Sequence, residues 1–174
     1  MEQVVLLDER GEPSGAMAKS QVHSESTPLH LAFSCYLYND EGLLLVTRRA
    51  LSKVAWPGAW TNSFCGHPQP GESVQDAVHR RAEQELGAAV GRVHLVAPDF
   101  RYRAVDPGGI VENEVCPVYT ATLESALEPN PEELTQWQWV DPAQLRAAAA
   151  AAPFAFSPWM VEQLPLVPSA SPHE

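Results

Sequence analysis

Short apolar runs alternate along the chain with clusters of Gly, Pro, Asn and Asp, a pattern that predicts many short strands and few helices. A first strand is predicted at residues 4–7, with Gly11, Pro13 and Gly15 turning the chain after it. The polar stretch from Lys19 to Ser26 predicts a turn or two of helix that Pro28 stops. Residues 31–38 and 43–48 read as strands joined through Asn39-Asp-Glu-Gly42, a hairpin expected at the middle of a sheet. Residues 50–70 are rich in Trp, Pro, Gly and Asn without a sustained period, which predicts a shaped loop with a short extended piece at 61–64. Ser73 is placed to cap a helix running to about Leu86, with Asp76 near the capping-box position and Gly87 ending it. Strands follow at 93–96, 100–104, 111–122 and 137–140, with Asp106-Pro-Gly-Gly109 turning the chain after the second of these. Asp141 and Pro142 open an alanine-rich helix to about residue 152, and Pro158 starts a short one through Leu164. The result is an α+β layered domain.

The 174 residues suffice for one hydrophobic core, so a single domain is expected over residues 1–164, followed by a Pro/Ser-rich, solvated tail over 165–174. Eleven Lys and Arg against twenty-two Asp and Glu leave a net charge of -11, which excludes a general nucleic-acid binder and argues against an anionic membrane surface. No apolar run approaches the roughly twenty residues that cross a bilayer. The start carries Glu2 where a secretory signal would carry base, so the cytoplasm is the expected compartment. Cys35, Cys65 and Cys116 are odd in number and lack Cys-x-x-Cys spacing, which predicts reduced thiols and neither a disulfide framework nor a zinc knuckle. Taken singly, each is a small buried hydrophobe.

Two groups of residues carry candidate chemistry. His23, His30, His67, Glu112 and Glu114 could meet at one metal ion, although no local spacing announces them and each alone reads as an ordinary polar residue. Glu112 and Glu114 are two apart in an extended segment and so share a strand face, with Asn113 on the other. Cys65 and His67 share a face if their segment is extended. Mixed nitrogen and oxygen donors suit zinc, manganese or magnesium. The second group is basic: Lys19, Arg48, Arg49, Lys53, Arg80, Arg81, Arg101 and Arg103 leave only Arg10, Arg92 and Arg146 outside the motif-bearing segments. Cations converging on one pocket would hold a diphosphate.

Gly66-His-Pro-Gln-Pro-Gly-Glu72, seven residues, Arg80-Arg-Ala, then Glu85-Leu-Gly87 resembles the Nudix box, a loop-helix-loop whose carboxylates hold a divalent metal against a diphosphate. Arg81 and Gln84 stand where that box usually has Glu, so carboxylates for binding metal and activating water are missing. Together with the box, Thr47-Arg-Arg-Ala-Leu-Ser-Lys53, Trp56-Pro-Gly-Ala-Trp-Thr-Asn62, Cys65-Gly-His67, Phe100-Arg-Tyr-Arg-Ala104, Glu112-Asn-Glu-Val-Cys-Pro117 and Phe156-Ser-Pro-Trp159 closely resemble the type I isopentenyl diphosphate isomerase family over nearly the whole chain.

The resemblance implies a Nudix-like fold, a mixed β-sheet sandwiched between α-helices, and an enzyme that interconverts isopentenyl and dimethylallyl diphosphate through a tertiary carbocation. It implies that Cys65 and Glu114 are the acid/base pair, with Glu114, acting with the metal and Tyr102, giving the protonation step and Cys65 handling the other proton. Trp159 would set its indole face by the cation. By the same similarity His23, His30, His67, Glu112 and Glu114 hold one Mn2+, Zn2+ or Mg2+, Glu85 binds a Mg2+ that arrives with the diphosphate, and Lys19, Arg49, Lys53 and Arg81 grip that diphosphate. Cys35 and Cys116 match no role. A monomer is expected, with the small-molecule diphosphates as its only partners. Two rival readings fit less well: a Nudix hydrolase needs a denser carboxylate helix than Glu72, Asp76, Glu83 and Glu85 offer, and a non-catalytic diphosphate-binding module needs no opposed acid and base.

Overall fold

The computed structural model describes residues 2–169. In chain order they form β1 (Gln3–Leu7), β2 (Pro13–Ala18), α1 (Lys19–Val22), β3 (His30–Leu31), β4 (Phe33–Tyr38), β5 (Leu44–Arg49), β6 (Trp60–Thr61), β7 (Phe64–Gly66), α2 (Val74–Leu86), β8 (Val90–Ala97), β9 (Arg101–Val105), β10 (Val111–Val115), β11 (Val118–Leu123), β12 (Leu134–Val140), α3 (Pro142–Ala151) and α4 (Pro158–Gln163). Short 3-10 turns follow α3 at Pro153–Ala155 and α4 at Leu164–Leu166.

The strands make two sheets. One runs β2-β1-β3-β10-β9 and the other β12-β5-β4-β11-β8, with β6 paired to β5 and β7 to β4. The long strand expected at 111–122 is broken at Cys116-Pro117, because Pro117 has no N–H for a ladder. The strand expected at 31–38 breaks beside it at Ala32, and the halves of each enter different sheets. The pairing nevertheless survives the break. Glu114 is opposite His30 and Val115 opposite Leu31 on one side, Val118 opposite Ser34 and Tyr119 opposite Cys35 on the other, in one unchanged parallel register. The N–H of Ala32 donates to Val115 O at 2.9 Å and that of Ser34 to Pro117 O at 3.1 Å, so the backbone bonds continue across the seam.

All six residues of β4 are buried, because this central strand is covered on both faces. Tyr36 and Tyr38 point to a core with Leu145, Trp159 and Met160 from α3 and α4. Cys35 and Leu37 point the other way, to Val78, Ala82 and Leu86 of α2. The mixed sheet between helices is therefore present, and the β1–β3–β10 sheet is additional to it. Strand β2 replaces the turn expected around Pro13 and Gly15. It is a largely exposed edge paired to β1, so it buries no apolar set that a period-two pattern could have shown.

Of the tail expected over 165–174, Pro165, Leu166, Pro168 and Ser169 are exposed. Val167 is buried. Arg146 donates to the carbonyls of Leu164, Val167 and Pro168 at 3.2, 2.6 and 2.9 Å, and the Tyr38 hydroxyl donates to Pro168 O at 2.8 Å. Pro168 lacks the N–H that an α-helix would bond to Leu164 O, and the guanidinium collects the three carbonyls. Residues 170–174 of that tail lie outside the described residues. Among the described residues no helix is long and apolar enough to cross a membrane.

Helix α2 has the ends its sequence announces. Ser73 Oγ accepts from the Asp76 N–H at 3.1 Å and donates to the Asp76 carboxylate at 2.7 Å, and Gly87 closes the helix in the left-handed region at φ 58°. A Cβ on Gly87 would lie 2.5 Å from Glu128 O. Gly87→Ala should therefore lower stability by about 1–3 kcal/mol, read as a fall in urea midpoint at constant m-value. An unchanged midpoint would show that the Glu128 segment yields freely.

Candidate active site

One cavity of about 500 Å³ opens between the sheets, lined from the N-terminal segment, the 47–67 loop, α2, β9, β10 and α4. At its floor the seam brings the histidines and carboxylates together. His30 stands on β3 opposite Glu114, His67 follows β7, and His23 follows α1. Ligand atoms of His23, His30, His67 and Glu114 all lie within 4.8 Å of one another. Glu112 sits one step outside that group, its Oε2 3.1 Å from His23 Nε2. As expected from their spacing, Glu112 and Glu114 are both buried and Asn113 is less so.

The donor set fits a divalent cation. His30 Nδ1 is 2.9 Å from the Pro28 carbonyl, which only accepts, so Nδ1 carries the proton and Nε2 presents a lone pair. That lone pair faces His67 Nε2 at 3.3 Å and Glu114 Oε1 at 3.3 Å, and His67 Nε2 is itself 3.1 Å from the same Glu114 oxygen. Three acceptor-capable atoms thus converge where a positive charge would satisfy all of them. Burial lowers His67 to about 4, so its imidazole is neutral at physiological pH, the form that can ligate a metal. For Glu114 burial works upward, but the two imidazoles outweigh it and hold the carboxyl well below its usual range. Glu112 is raised, by burial first and then by the charge of Glu114. Glu114 Oε2 accepts from the Tyr102 hydroxyl at 2.9 Å.

Cys65 and Trp159 line the same cavity. Burial pushes the Cys65 thiol up to about 12, so it is protonated near neutrality. Trp159 is buried with its ring 5.7 Å from Tyr102, 5.6 Å from Trp56 and 5.5 Å from the Arg49 guanidinium carbon. Cys35 and Cys116 are buried free thiols.

Around the mouth the expected cations meet carboxylates that the sequence reading missed. Lys19 pairs with Glu2 at 2.8 Å, Lys53 with Glu133, and Arg81 with Glu85 and, at 3.4 Å, with Glu133. Lys19, Arg49, Lys53, Arg81 and Glu85 all border the cavity. Arg49 commits Nε and Nη2 to the carbonyls of Ala55 and Trp56, at 2.8–3.2 Å, and so also straps the loop that carries Trp56. Arg80, in contrast, is structural. It binds both oxygens of Glu72 at 2.7 and 2.8 Å and the His67 carbonyl at 3.1 Å, bracing the turn that follows the metal-facing histidine. No pattern signalled Glu2 and Glu133, which precede β1 and β12, far in sequence from the cations they meet. Asn62, fully buried beside Cys65, was quoted only as part of a motif.

Residues 28–160 match the NUDIX domain family. An isopentenyl-diphosphate Delta-isomerase of Clavibacter michiganensis is 58% identical over 95% of this chain and 86% of that protein. One of Citrobacter koseri is 59% identical over 93% of this chain and 90% of that protein. The chain belongs to the isopentenyl-diphosphate Delta-isomerase family, within the NUDIX fold. Among solved structures, a Deinococcus radiodurans protein superposes with TM-score 0.72 at 24% identity, covering 94% of this chain and 98% of its own. A MutT NUDIX hydrolase of Burkholderia pseudomallei gives 0.62 at 23% identity, covering 80% and 98%. At those identities the structural likeness concerns the fold alone.

A divalent ion should bind the chelator-treated protein and raise its Tm, by about 2.7 kcal/mol of stabilisation at 100 times Kd, and His67→Ala should abolish the increase. Burial works against a proton on His30, but Glu114 outweighs it and raises the imidazole above its ordinary value. Proton and ion compete for Nε2, so the increase should shrink as pH falls through that raised value and grow as pH rises. An increase independent of pH, or one retained in His67→Ala, would place the ion elsewhere.

Proposed function

We propose that the chain interconverts isopentenyl and dimethylallyl diphosphate by giving a proton to one carbon and taking one from another, with Cys65 and Glu114 as the acid/base pair. The observation that carries this reading is the coincidence in one cavity of a thiol, a carboxylate bonded to a phenol, an indole wall, and a cluster of cations at the mouth. Hydrolysis needs none of the first three. Belonging to the isomerase family supplies the reaction, and the residue roles are the part proposed here.

An alkene is a poor base, so the site must combine a positioned acid with shelter for the tertiary cation. The terminal methylene receives a proton and leaves positive charge on the branched carbon. Loss of a proton from the adjoining methylene then places the double bond there. Glu114 with Tyr102 delivers the first proton. The phenol is kept protonated by burial and by the neighbouring Glu114 and Glu112 charges, and its bond to Glu114 Oε2 gives the proton a route. Cys65 takes the second, in the minor form of the site in which its proton has moved to Glu114, so that turnover starts from thiolate and carboxylic acid and ends at thiol and carboxylate. The burial that makes its thiolate scarce also makes it a strong base, and the proton it removes is acidified by the cation beside it. In the reverse direction the two groups exchange roles. The ring of Trp159 lends its π face to the cation, an attraction of about 2 kcal/mol when desolvated.

A divalent ion held by His23, His30, His67 and Glu114, with Glu112 behind His23, would supply fixed positive charge that orients Glu114 and tunes its proton affinity. Zinc, manganese and magnesium all suit those donors. Lys19, Arg49, Lys53 and Arg81 grip the diphosphate, and Glu85 holds the magnesium that accompanies it. Glu2 and Glu133, the present partners of Lys19, Lys53 and Arg81, keep those cations in place until the diphosphate displaces them. The enzyme is read as a monomer, and three free thiols fit the reducing cytoplasm.

Proton NMR in deuterated water, with magnesium and either zinc or manganese, should show deuterated dimethylallyl diphosphate without phosphate release. Cys65→Ala should lose at least about 100-fold in kcat while still binding the diphosphate. Phosphate release in place of isomer would favour a hydrolase, and undiminished turnover by Cys65→Ala would remove the thiol from the mechanism. Lys53→Ala should act mainly on KM, raising it about tenfold, and an effect confined to kcat would separate Lys53 from diphosphate binding.

A further inference from the structure

Asn62 lies just after β6, fully buried, and both ends of its amide are engaged. Nδ2 donates to the carbonyls of Cys35 at 3.1 Å and Phe64 at 2.8 Å. Carbonyls only accept, so the amide has one orientation consistent with both bonds. Oδ1 is thereby turned toward the site. It accepts from Trp159 Nε1 at 2.9 Å, from Thr61 Oγ1 at 2.9 Å and from Cys65 Sγ at 3.3 Å. An indole N–H is a donor only, and this bond is what satisfies it in a buried position. Hydroxyl and thiol are able to rotate; the indole is not.

Cys65 and Trp159 are remote in sequence, one on β7 and the other on α4. Because both bond to the same atom, sulfur and indole nitrogen can be no farther apart than those two bonds laid end to end. The surroundings reinforce the arrangement. Thr61 Oγ1 is 2.7 Å from Ser157 Oγ, and the Ser157 N–H donates to Trp60 O at 2.8 Å, so the start of α4 is stitched to β6 just before Asn62.

We propose that Asn62 is a positioning residue of this isomerase, its one carbonyl oxygen setting the indole of Trp159 and the thiol of Cys65 at a defined separation about the substrate's carbon chain. The proposal rests on the reading that Cys65 moves a proton and that Trp159 faces the cation. Both must address neighbouring carbons of a five-carbon chain, and a displacement of roughly 1 Å in such an arrangement lowers a rate by about 100-fold. Deprived of Oδ1, the indole N–H must seek another acceptor, and the ring turns with it. A cation less well covered is also open to water. Water oxygen then bonds to the branched carbon and releases a proton, giving a tertiary alcohol diphosphate in a net hydration without oxidation or reduction.

The test is a double-mutant cycle of Asn62→Ala and Trp159→Phe, the second keeping an aromatic ring and deleting the N–H. Asn62→Ala should lower kcat by about 100-fold, with KM changed by no more than about twofold, since no diphosphate-gripping side chain bonds to Asn62. Both substitutions delete the same bond, so the double variant should be little worse than the more damaged single one, and the tertiary alcohol should appear beside the isomer. In nitrogen-proton NMR the indole signal missing from Trp159→Phe should shift in Asn62→Ala. Losses that multiply, with an indole signal that stays in place, would overturn the proposal and leave Asn62 as a brace for Cys35 and Phe64. If Asn62→Ala does not fold, Trp159→Phe decides alone: lowered kcat with alcohol formed supports the role, and unaltered kcat and product overturn it. A wild-type chain that makes no isomer would instead overturn the underlying assignment of roles, whatever the indole signal does.

Discussion

The parallel ladder that runs through β3 and β4 on one side and β10 and β11 on the other is the constraint on which the site depends. It passes from one sheet to the other without changing register, and the residues of interest are placed by it. His30 is set opposite Glu114 by this ladder, Glu114 opposite Tyr102 by the next pair, and Cys65 opposite Ser34 by β7 on β4. Because side chains alternate along strands, a slip of one residue would turn Glu112 and Glu114 away from the histidines together. Backbone hydrogen bonding thus assembles a charge cluster that side-chain affinity alone would not hold together in a dry interior.

Collecting that much like charge is unfavourable without compensation. The structure shows two forms of it. At the floor, buried carboxylates face imidazoles, with Glu114 held low by His30 and His67 and Glu112 raised in response. At the mouth, Arg81 replaces the second box carboxylate and is itself buried between Glu85 and Glu133. In the role proposed for Arg81, the exchange of a carboxylate for a guanidinium turns the helix of a diphosphate-cleaving motif toward diphosphate holding, while Glu72 and Arg80 form a clamp on the turn after His67.

What could be read from sequence follows from how local each signal is. Helix α2 was legible at both ends because Ser73, Asp76 and Gly87 act within one turn of it. The shared face of Glu112 and Glu114 was legible because period two is intrinsic to a strand. The split of residues 111–122 was not, although Pro117 marked it, because what ends one strand and starts the next is a change of sheet. Edge strand β2 buries too little to leave a pattern. Glu2 and Glu133 meet cations remote in sequence, and Asn62 joins its neighbours to the distant Cys35 and Trp159, so none has a local signature. The exposed prolines of the tail were legible from composition, whereas its anchor, Arg146 in the middle of an alanine-rich helix bonding the carbonyls of Leu164, Val167 and Pro168, was not.

The loop that holds Trp56 shows how rigidity is produced without regular structure. Trp56 adopts φ 46°, a left-handed conformation that a bulky residue takes only when its surroundings impose it. Asp106 supplies one restraint, accepting from the Trp56 N–H at 3.2 Å, and Arg49 supplies another through the Trp56 carbonyl. The ring so placed meets Trp159 edge to face. Trp159 is therefore gripped at its nitrogen by Asn62, at its edge by Trp56 and over its ring by Arg49, each from a different segment. A π surface stabilises a short-lived cation only if it is in position before the charge appears, since reorganising afterwards would forfeit most of the gain. Fixing one indole from three directions meets that requirement for the role proposed for Trp159, and two of the three restraints run through buried or half-buried polar contacts of the loop and not through apolar packing.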